Sequence, residues 1–582
     1  MRRTRSSLVL SLLLTGALFA GACGSDDDDK ESDTTTEETS AATADDAQES
    51  SAADAEDSEA TEGAEGGTLV LGAEQEPDCV DWISSCAGSS WGFWTIGSQT
   101  MPRVFDMVDD GGTWVYEPSA VLTGEPKLEE VNGKQTVTYT ISDDALWDDG
   151  EPITSTDFKY TWDQIANGTD IYDQTGYKDI EGVDDSDPKT AVVTFANKYA
   201  SWKALFGGGY GLYPSHLLEG KDRNAEMKDG YTFSGGPFKL EKWEKGVEIT
   251  LVRNDNYFGD KAKLDKVVFK IIPDTAAEFQ AFKAGEVLGI YPQPQIATID
   301  AIKAGGLEGT QTVNANTGSV EALWMNNAKA PFDNIDFRKA IAYAVDRDEI
   351  VKALFGGIGV EKAVQSFNPP IVSAYAGDDF SMYTKDMAKV EEHMTAAGYA
   401  KGADGIWAKG ADKAAFVFKT TAGNARRELT ATVLQEQLKE AGFEMTIETA
   451  KAGDLFGQML PAGDFQVALY AQVATTLDPG LCVIMCSENA PSEANGNAGQ
   501  NFTRTNVAAA DPLLKQVDVE TDEAKRQEAS KAADKALAES ATSLPLDPLP
   551  NIALLSDKIV GPTDDHPVLS VWVHLAEWTL AE

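Results

Sequence analysis

Histidine is scarce in this chain. Only four of the 582 residues are histidine, and they stand far apart at His216, His393, His566 and His574. Nickel and similar metals bind directly to proteins mainly through imidazole ligands. We therefore predict no metal site and no cofactor, and we place the four histidines on the surface or in ordinary packing.

Positive charge is also scarce. The sequence has 48 lysines and arginines against 95 aspartates and glutamates, which gives a formal net charge of −47. Binding to nucleic acid depends on clustered Lys and Arg that contact phosphates, so the composition excludes a nucleic-acid partner. An acidic surface suits cationic ligands, and it equally suits solubility or a salty habitat.

Long apolar runs are absent apart from one near the start. Leu8–Ala20 follows three arginines and is too short for a comfortable membrane span. This layout predicts a secretory signal peptide over residues 1–22. Cys23 follows small residues directly, which resembles a bacterial lipobox, although Ala20 stands where that motif prefers leucine. We expect Cys23 to be lipidated, and the alternative is ordinary cleavage of the signal peptide.

The segment after Cys23 is acidic and lacks apolar periodicity. Residues 24–67 contain 17 aspartates and glutamates and a single lysine. Such a composition buries too little apolar surface to offset the entropy of ordering, and its like charges extend the chain. We predict that residues 23–66 form a disordered tether, which holds a folded domain to the outer face of the cell membrane through the lipid anchor.

Apart from Cys23, the cysteines form two close pairs. Cys79 lies near Cys86, and Cys482 lies near Cys486. Close cysteines usually oxidise outside the cytoplasm, and four cysteines allow three disulfide connectivities. We favour the two local disulfides because short loops close most easily. A zinc site is the alternative, although the spacings differ from those of zinc ribbons.

The remaining sequence alternates strand-like and helix-like segments, which indicates an α/β fold. We predict strands at Thr68–Gly72, Val137–Ile141, Val192–Phe195, Ile249–Val252 and Val267–Ile272. We predict helices at Phe337–Phe355, Leu429–Ala441 and Asp511–Ser540. Asp333 and Asp336 are candidate caps for the first of these helices, and Gly442 ends the second.

Several motifs follow one another in a recognisable order. They are Leu146–Phe158 (LWDDGEPITSTDF), Gly235–Leu240 (GGPFKL), Arg253–Gly259 (RNDNYFG), Lys283–Val287 (KAGEV), and Asn326–Asp333 with Phe337–Arg347. In this order they resemble the extracytoplasmic solute-binding proteins of the oligopeptide, dipeptide and nickel class. Leu288 departs from the pattern, because this class usually has aspartate there.

The resemblance implies a two-lobed, type II flytrap of the periplasmic-binding-protein kind with an extra domain in lobe one. By this layout lobe one spans residues 67–318, with the extra domain at about 96–234, and lobe two spans 319–539. Residues 540–582 return to lobe one, and the crossings lie near 316–320 and 539–544. A monomer of this kind captures a small ligand between its lobes and delivers it to a membrane permease with separate ATPase subunits.

The resemblance also suggests ligand-contacting residues in three segments. These are Glu74, Trp91, Phe93 and Trp94 after the first strand, Trp324 and Asn326 near the first crossing, and Gln472, Thr475 and Asp478 in lobe two. Peptide-binding relatives have an aspartate at the position of Thr475, where it pairs with the ligand's α-amino group, and a tryptophan at the position of Gln472. A neutral hydroxyl cannot supply that charge, so Asp478 is the candidate substitute.

The ligand class therefore stays open between two alternatives. Peptide is the leading class, and an oligosaccharide or another polar solute is the alternative. An exported hydrolase and a passive surface protein are the competing kinds of protein. Carboxylates are abundant enough to include a glycosidase pair, but no spacing singles one out. We predict that the protein is not an enzyme.

Overall fold

The computed structural model describes residues 63–84, 86, 90–111, 113–207, 210–305, 308–451, 454–474, 476–492 and 499–581. The predicted signal peptide, Cys23, nearly all of the predicted tether and Thr475 lie outside these residues. Within them, no helix combines the length and the apolar character needed to cross a bilayer.

The described side chains pack into two large hydrophobic cores. The first core takes its buried residues from positions 69–291 and 553–578. The second core takes its buried residues from positions 299–552. We call the two parts of the molecule around these cores the first body and the second body.

The first body contains three main sheets. A mixed four-stranded sheet has the order Thr68–Ala73, Lys266–Ile271, Glu248–Arg253 and Phe238–Glu244, and only its first pair is parallel. A three-stranded antiparallel sheet has the order Gly289–Ile290, Asn551–Leu555 and Thr310–Asn314. An antiparallel four-stranded sheet has the order Lys127–Val131, Lys134–Thr140, Thr190–Phe195 and Ile180–Asp187. All five predicted strands are confirmed with small shifts at their ends.

Two antiparallel strand pairs complete the first body. Phe105–Asp110 pairs with Thr113–Pro118, and Ile559–Val560 pairs with Thr579–Leu580. Its longer helices are Ser155–Asn167 and Thr275–Lys283, and the helix Ile296–Ala304 that follows them buries Ile299 in the second core. Thr154 caps the first of these helices in a capping box with Asp157.

The second body is built on a five-stranded mixed sheet. Its strand order is Glu444–Ala450, Ala415–Thr421, Val467–Val473, Ser319–Met325 and Leu544–Asp547. A small sheet of Ala400–Lys401, Trp407–Lys409 and Asp412–Lys413 accompanies it. The helices of eight or more residues are Ile335–Ala344, Arg347–Phe355, Met387–Ala396, Ala425–Ala441, Asp511–Val519 and Glu523–Glu539. Gly442 ends the helix Ala425–Ala441 in a left-handed conformation, as the sequence predicts.

The chain crosses between the sheets of the two bodies twice. The first crossing lies between Asn314 and Ser319, and the return lies between Asp547 and Asn551. The sequence places the return earlier, near residues 539–544, and that limit stays a prediction. Leu544–Asp547 still belongs to the sheet of the second body, because it pairs antiparallel with Ser319–Met325. The other predicted lobe limits stay predictions.

Two predicted helices are each divided in the structure. The stretch at Asp511–Ser540 forms Asp511–Val519 and Glu523–Glu539, with Asp522 as the cap of the second helix. The helix predicted at Phe337–Phe355 is the second divided helix, and its first part is Ile335–Ala344. Asn334 caps this part, whereas the sequence predicted Asp333 or Asp336 as the cap. Short polar side chains that accept backbone N–H bonds favour a new helix start over continuation.

Asp346 divides the helix predicted at Phe337–Phe355. Its carboxylate accepts a hydrogen bond from the backbone N–H of Glu349 at 2.9 Å and so caps Arg347–Phe355. We expect Asp346→Ala to lower the free energy of unfolding by about 1 kcal/mol in urea denaturation, because a helix N–H group loses its partner. Asp346→Asn keeps an acceptor and should unfold close to the wild type, whereas equal losses in both variants would contradict capping.

Both local disulfides predicted from the sequence are present. Cys79 is bonded to Cys86, and Cys482 is bonded to Cys486. The zinc alternative is therefore wrong for these four residues. The second disulfide closes the short helix Cys482–Met485, whose Val483 and Ile484 line the cleft described below.

Candidate ligand cleft

A cleft lies between the first body and the second body. Its first wall carries four tyrosines, Tyr172, Tyr177, Tyr199 and Tyr210. The opposite wall is formed by Val320, Phe367 and described residues of the segment that follows, namely Gln472–Ala474, Thr476, Asp478–Leu481, Val483 and Ile484. No lysine, arginine or histidine is among the described residues that line the cleft. The cleft is therefore aromatic and amide-rich, and its lining offers no positive side chain to an anionic ligand.

Asp478 joins the two walls. Its carboxylate accepts hydrogen bonds from Tyr199 Oη at 3.1 Å and from Ser201 Oγ, which both belong to the first body. It also forms an ion pair with Arg526 Nη2 at 2.9 Å. The predicted role of Asp478 as the substitute amine anchor stays a prediction. In this arrangement the carboxylate already has a cationic partner and two hydroxyl donors.

Arg526 is held in place from several sides. Its Nε donates to the carbonyl oxygen of Val517 at 2.7 Å, and its guanidinium lies 5.4 Å from the ring centroid of Tyr375. Asp518 lies in the same neighbourhood, where burial and the charge of Asp478 raise its pKa to about 7. Arg526 thus compensates Asp478, while Asp518 is only partly ionised near neutral pH.

Gln472 is the other predicted residue of this segment that the structure describes. It lines the cleft and lies opposite Val320 in the antiparallel pairing of Ser319–Met325 with Val467–Val473. Thr475 lies outside the described residues. The sequence thus brings Gln472 and Asp478 to the cleft, and their contact with a ligand stays a prediction.

The predicted aromatic group after the first strand lies elsewhere. Trp91 is buried in the first core, with its ring centroid 5.7 Å from that of Trp94. Tyr291 packs edge-on against Trp94 at 5.5 Å, and Trp94 Nε1 donates to the carbonyl oxygen of Val568 at 2.7 Å. Phe93 packs in a small cluster formed with Ile371–Tyr375. None of these rings is among the residues that line the described cleft.

Glu74 is also removed from the cleft. Thr275 Oγ1 donates to its carboxylate at 2.6 Å, and the backbone N–H of Gln293 donates at 2.9 Å. Burial raises the pKa of Glu74. Its contacts hold the start of Thr275–Lys283 and the segment that precedes Ile296–Ala304, so the structure gives it a role inside the first body.

Trp324 and Asn326 are core residues of the second body. The Trp324 ring lies between Phe367 and Tyr470, with centroid distances of 5.3 and 5.2 Å. Asn326 Nδ2 donates to the carbonyl oxygens of Gly463 and Phe465 at 3.2 and 3.1 Å. Neither side chain lines the described cleft. Trp324 supports it indirectly, because its neighbour Phe367 does.

A buried charge cluster lies beside the cleft strand and was not predicted. Glu321 is fully buried and forms ion pairs with Arg426 and, at 2.6 Å, with Arg427. Burial opposes its ionisation, but the two guanidinium groups, Arg426 first, outweigh burial and lower its pKa. Asp547 lies directly opposite on the neighbouring strand. A glutamate inside the apolar run Ser319–Met325 is the sequence signal that points to such a cluster.

The four tyrosines of the cleft were also not predicted. They come from the segment around the antiparallel sheet at residues 127–195 and face a loop nearly 300 residues later in the chain. Nothing in their local spacing distinguishes them from core aromatics. Only the approach of the two bodies brings them to one cavity.

This arrangement defines a class of protein. Two α/β bodies with separate cores, two crossings and an interbody cleft form the two-lobed type II periplasmic-binding-protein fold. The periplasmic EDTA-binding protein EppA has this fold, with a TM-score of 0.78 and 22% identity over 90% of this chain and 98% of that chain. AppA from Bacillus subtilis, in complex with a nonapeptide, has a TM-score of 0.73 and 22% identity over 90% of this chain and 100% of that chain.

The sequence itself fixes the family. Residues 119–492 match the family model of the bacterial extracellular solute-binding proteins, family 5 Middle, and this chain belongs to that family. The oligopeptide-binding protein AppA of Bacillus subtilis (strain 168) is 24% identical to it over 524 residues, which cover 88% of each protein. The predicted resemblance and the predicted fold class are thereby confirmed.

Proposed function

We propose that this protein captures a small solute, with peptide as the leading class, in the cleft between its two bodies. The observation that carries the proposal is that both bodies supply the walls of one cleft and meet at Asp478. A ligand that touches both walls stabilises the closed arrangement, because only there does it make all its contacts. The name of AppA as an oligopeptide-binding protein supports peptide as the ligand.

The proposal extends to the setting in which the protein works. The bound solute is handed to a membrane permease with separate ATPase subunits, as the family resemblance implies. The protein acts as a monomer on the outer face of the cell membrane, anchored through Cys23, and has no catalytic role. Turnover of any substrate in a broad hydrolase screen would contradict this part.

The cleft itself argues against anionic chelates as ligands. EppA is named for EDTA, which is strongly anionic at neutral pH. An anion would need positive partners in the cavity, and no described lining residue supplies one. Within the described residues, no group of three or more His, Cys, Asp or Glu could hold a metal ion.

An oligosaccharide is the second candidate. The side-chain amides of Gln472 and Gln500 and the tyrosine rings line the same cavity. Aromatic faces and neutral polar groups also suit sugars, which carry no charge that needs a partner. An oligosaccharide ligand would need no carboxylate to bind an amino group.

The proposal is tested by the molecules that the protein retains. The full-length protein is purified without denaturation and then unfolded, and the released small molecules are analysed by mass spectrometry. We expect short peptides. Release of a sugar would replace peptide by the oligosaccharide alternative, and release of an anionic metal chelate would contradict both.

A further inference from the structure

We infer that one corner of the cleft, formed by Tyr172, Asp173, Tyr177 and Tyr210, receives the positively charged group of the ligand. This inference rests on the proposed function and deepens it, because it names the part of the ligand that the corner holds. For a peptide that group is the α-ammonium. We call this set of four residues the tyrosine corner.

Asp173 supplies the negative charge of the corner. Its Oδ1 accepts hydrogen bonds from the backbone N–H and the Oγ1 of Thr175 at 2.9 and 2.7 Å. These bonds fix the orientation of the carboxylate. Within the described part of the chain its Oδ2 has no hydrogen-bond or ion-pair partner, and the side chain lines the cleft in a half-buried position. One carboxylate oxygen is thus held ready for a donor from a ligand.

The three tyrosines line the same cleft as this charge. The ring centroids of Tyr177 and Tyr210 lie 6.5 Å apart. Tyr172 is 55% exposed, which is unusual for so large an apolar ring. Burial, followed by the charge of Asp173, raises the pKa of Tyr210 well above its ordinary value. The phenol therefore stays neutral, and the electron-rich rings of Tyr172 and Tyr210 can attract a cation.

The charge balance of the whole cleft points the same way. Asp173 and Asp478 are the carboxylates that line it, and Arg526 already compensates Asp478. After burial, the charge of Asp173 raises the pKa values of Tyr172, Tyr177 and Tyr210. The net field at the corner is negative, and a carboxylate or phosphate of a ligand would be repelled there.

The tyrosine corner offers a binding place for the amino group of a peptide, although residue 475 is a neutral threonine. The position at which peptide-binding relatives carry an anchoring aspartate is neutral here, and Asp478 is occupied. Asp173 lies on the opposite wall, on the first body. An ammonium group bound to Asp173 would lie against the first body. The amino end of the ligand would therefore face the first body and not the wall that carries Asp478.

The test compares three tri-alanine probes that differ only in charge. The first has a free amino end and an amidated carboxyl end, the second is blocked at both ends, and the third is acetylated and keeps a free carboxylate. Binding to the full-length protein is measured by calorimetry after removal of retained ligand by unfolding and refolding. We expect the cationic probe to bind about tenfold or more tightly than the blocked one, and the anionic probe to bind most weakly.

Two variants assign the effect to the corner. Asp173→Asn should lower the affinity for the cationic probe about tenfold and leave that for the blocked probe within about twofold. Tyr172→Ala should weaken the cationic probe about threefold, whereas Tyr172→Phe should not, because phenylalanine keeps the aromatic face. Asp163→Asn, an exposed carboxylate outside the cleft lining, is the matched control and should change neither affinity.

The outcomes separate the inference from the proposed function. Equal losses for the cationic and blocked probes in Asp173→Asn would show a packing role and overturn the inference. Tightest binding of the anionic probe would overturn it as well. If the probes bind and Asp173→Asn changes nothing, the inference fails while solute capture stands. If no probe binds and the native protein releases no peptide, peptide capture fails together with the inference.

Discussion

Replacement of Glu321 by glutamine is expected to lower the free energy of unfolding by roughly 3–5 kcal/mol, because it leaves buried guanidinium groups without their counter-charge. Arg426 and Arg427 both point at this carboxylate. Glutamine keeps the shape of the side chain, so the effect reports charge rather than volume. Denaturant unfolding with an unchanged m-value is the measurement that shows a change in stability alone.

Asp547 provides an internal check of this expectation. Burial and the charge of Glu321 raise the pKa of Asp547 to about 7. When Glu321 loses its charge, Asp547 should ionise and offset part of the loss. The double variant Glu321→Gln with Asp547→Asn removes that offset and should be less stable than either single variant.

An exposed ion pair is the control for Glu321. Glu129 lies 2.9 Å from Lys127 on the surface of the first body, and exposed pairs contribute little to stability. Glu129→Gln should unfold at the wild-type denaturant concentration. If Glu321→Gln also unfolds at the wild-type denaturant concentration, the buried charge cluster does not stabilise the second body.

A rise in pH from about 6 to about 9 should destabilise the wild type by roughly 3 kcal/mol more than the variant Glu278→Gln. Glu278 is fully buried, and neither of its carboxylate oxygens has a hydrogen-bond partner in the described structure. Burial, followed by the charge of Glu74, raises its pKa to about 9. The folded protein therefore keeps a proton that the unfolded chain releases.

The direction of this pH dependence follows from the two pKa values. Between the ordinary pKa of 4.5 and the folded value of about 9, the folded state binds one more proton than the unfolded state. Stability therefore falls as the pH rises through this window and levels off above it. Glutamine cannot release a proton, so Glu278→Gln lacks this part of the pH dependence of the free energy of unfolding.

The measurement is a series of denaturant unfolding curves over this pH range for both proteins. Other buried carboxyl groups titrate in both, so the difference between wild type and variant isolates Glu278. Glu286→Gln changes an exposed carboxylate three residues beyond the same helix and should follow the wild type at every pH. Parallel curves for wild type and Glu278→Gln would show that Glu278 is already ionised at neutral pH.

The local elements were predictable from the sequence because they depend on neighbouring residues. Alternating apolar residues gave the strands at 68–73 and 134–140, and the close cysteine pairs gave both disulfides. The ordered motifs between Leu146 and Arg347 indicated the family. The exceptions were the helices divided at Asp346 and Asp522, where a capping carboxylate outweighed a continuous helical pattern.

The candidate site was less predictable for a physical reason. Trp91 and Trp94 look like ligand contacts in sequence but pack in a core, whereas Tyr172 and Tyr210 give no signal and line the cleft. The spacing of residues along the chain says nothing about which distant segment will cover a side chain.

The sequence by itself determined the family, the α/β class, the strands and the disulfide pairs, since each of these is written in residues a few positions apart or in motifs read in order. Only the tertiary structure decided which side chains face the cleft and which charges are compensated. Asp478 meets Ser201 and Arg526, and Glu321 meets Arg426 and Asp547, across long stretches of chain. Burial and the identity of the partner, which set the energy and the pKa of each group, exist only after the two bodies have folded and met.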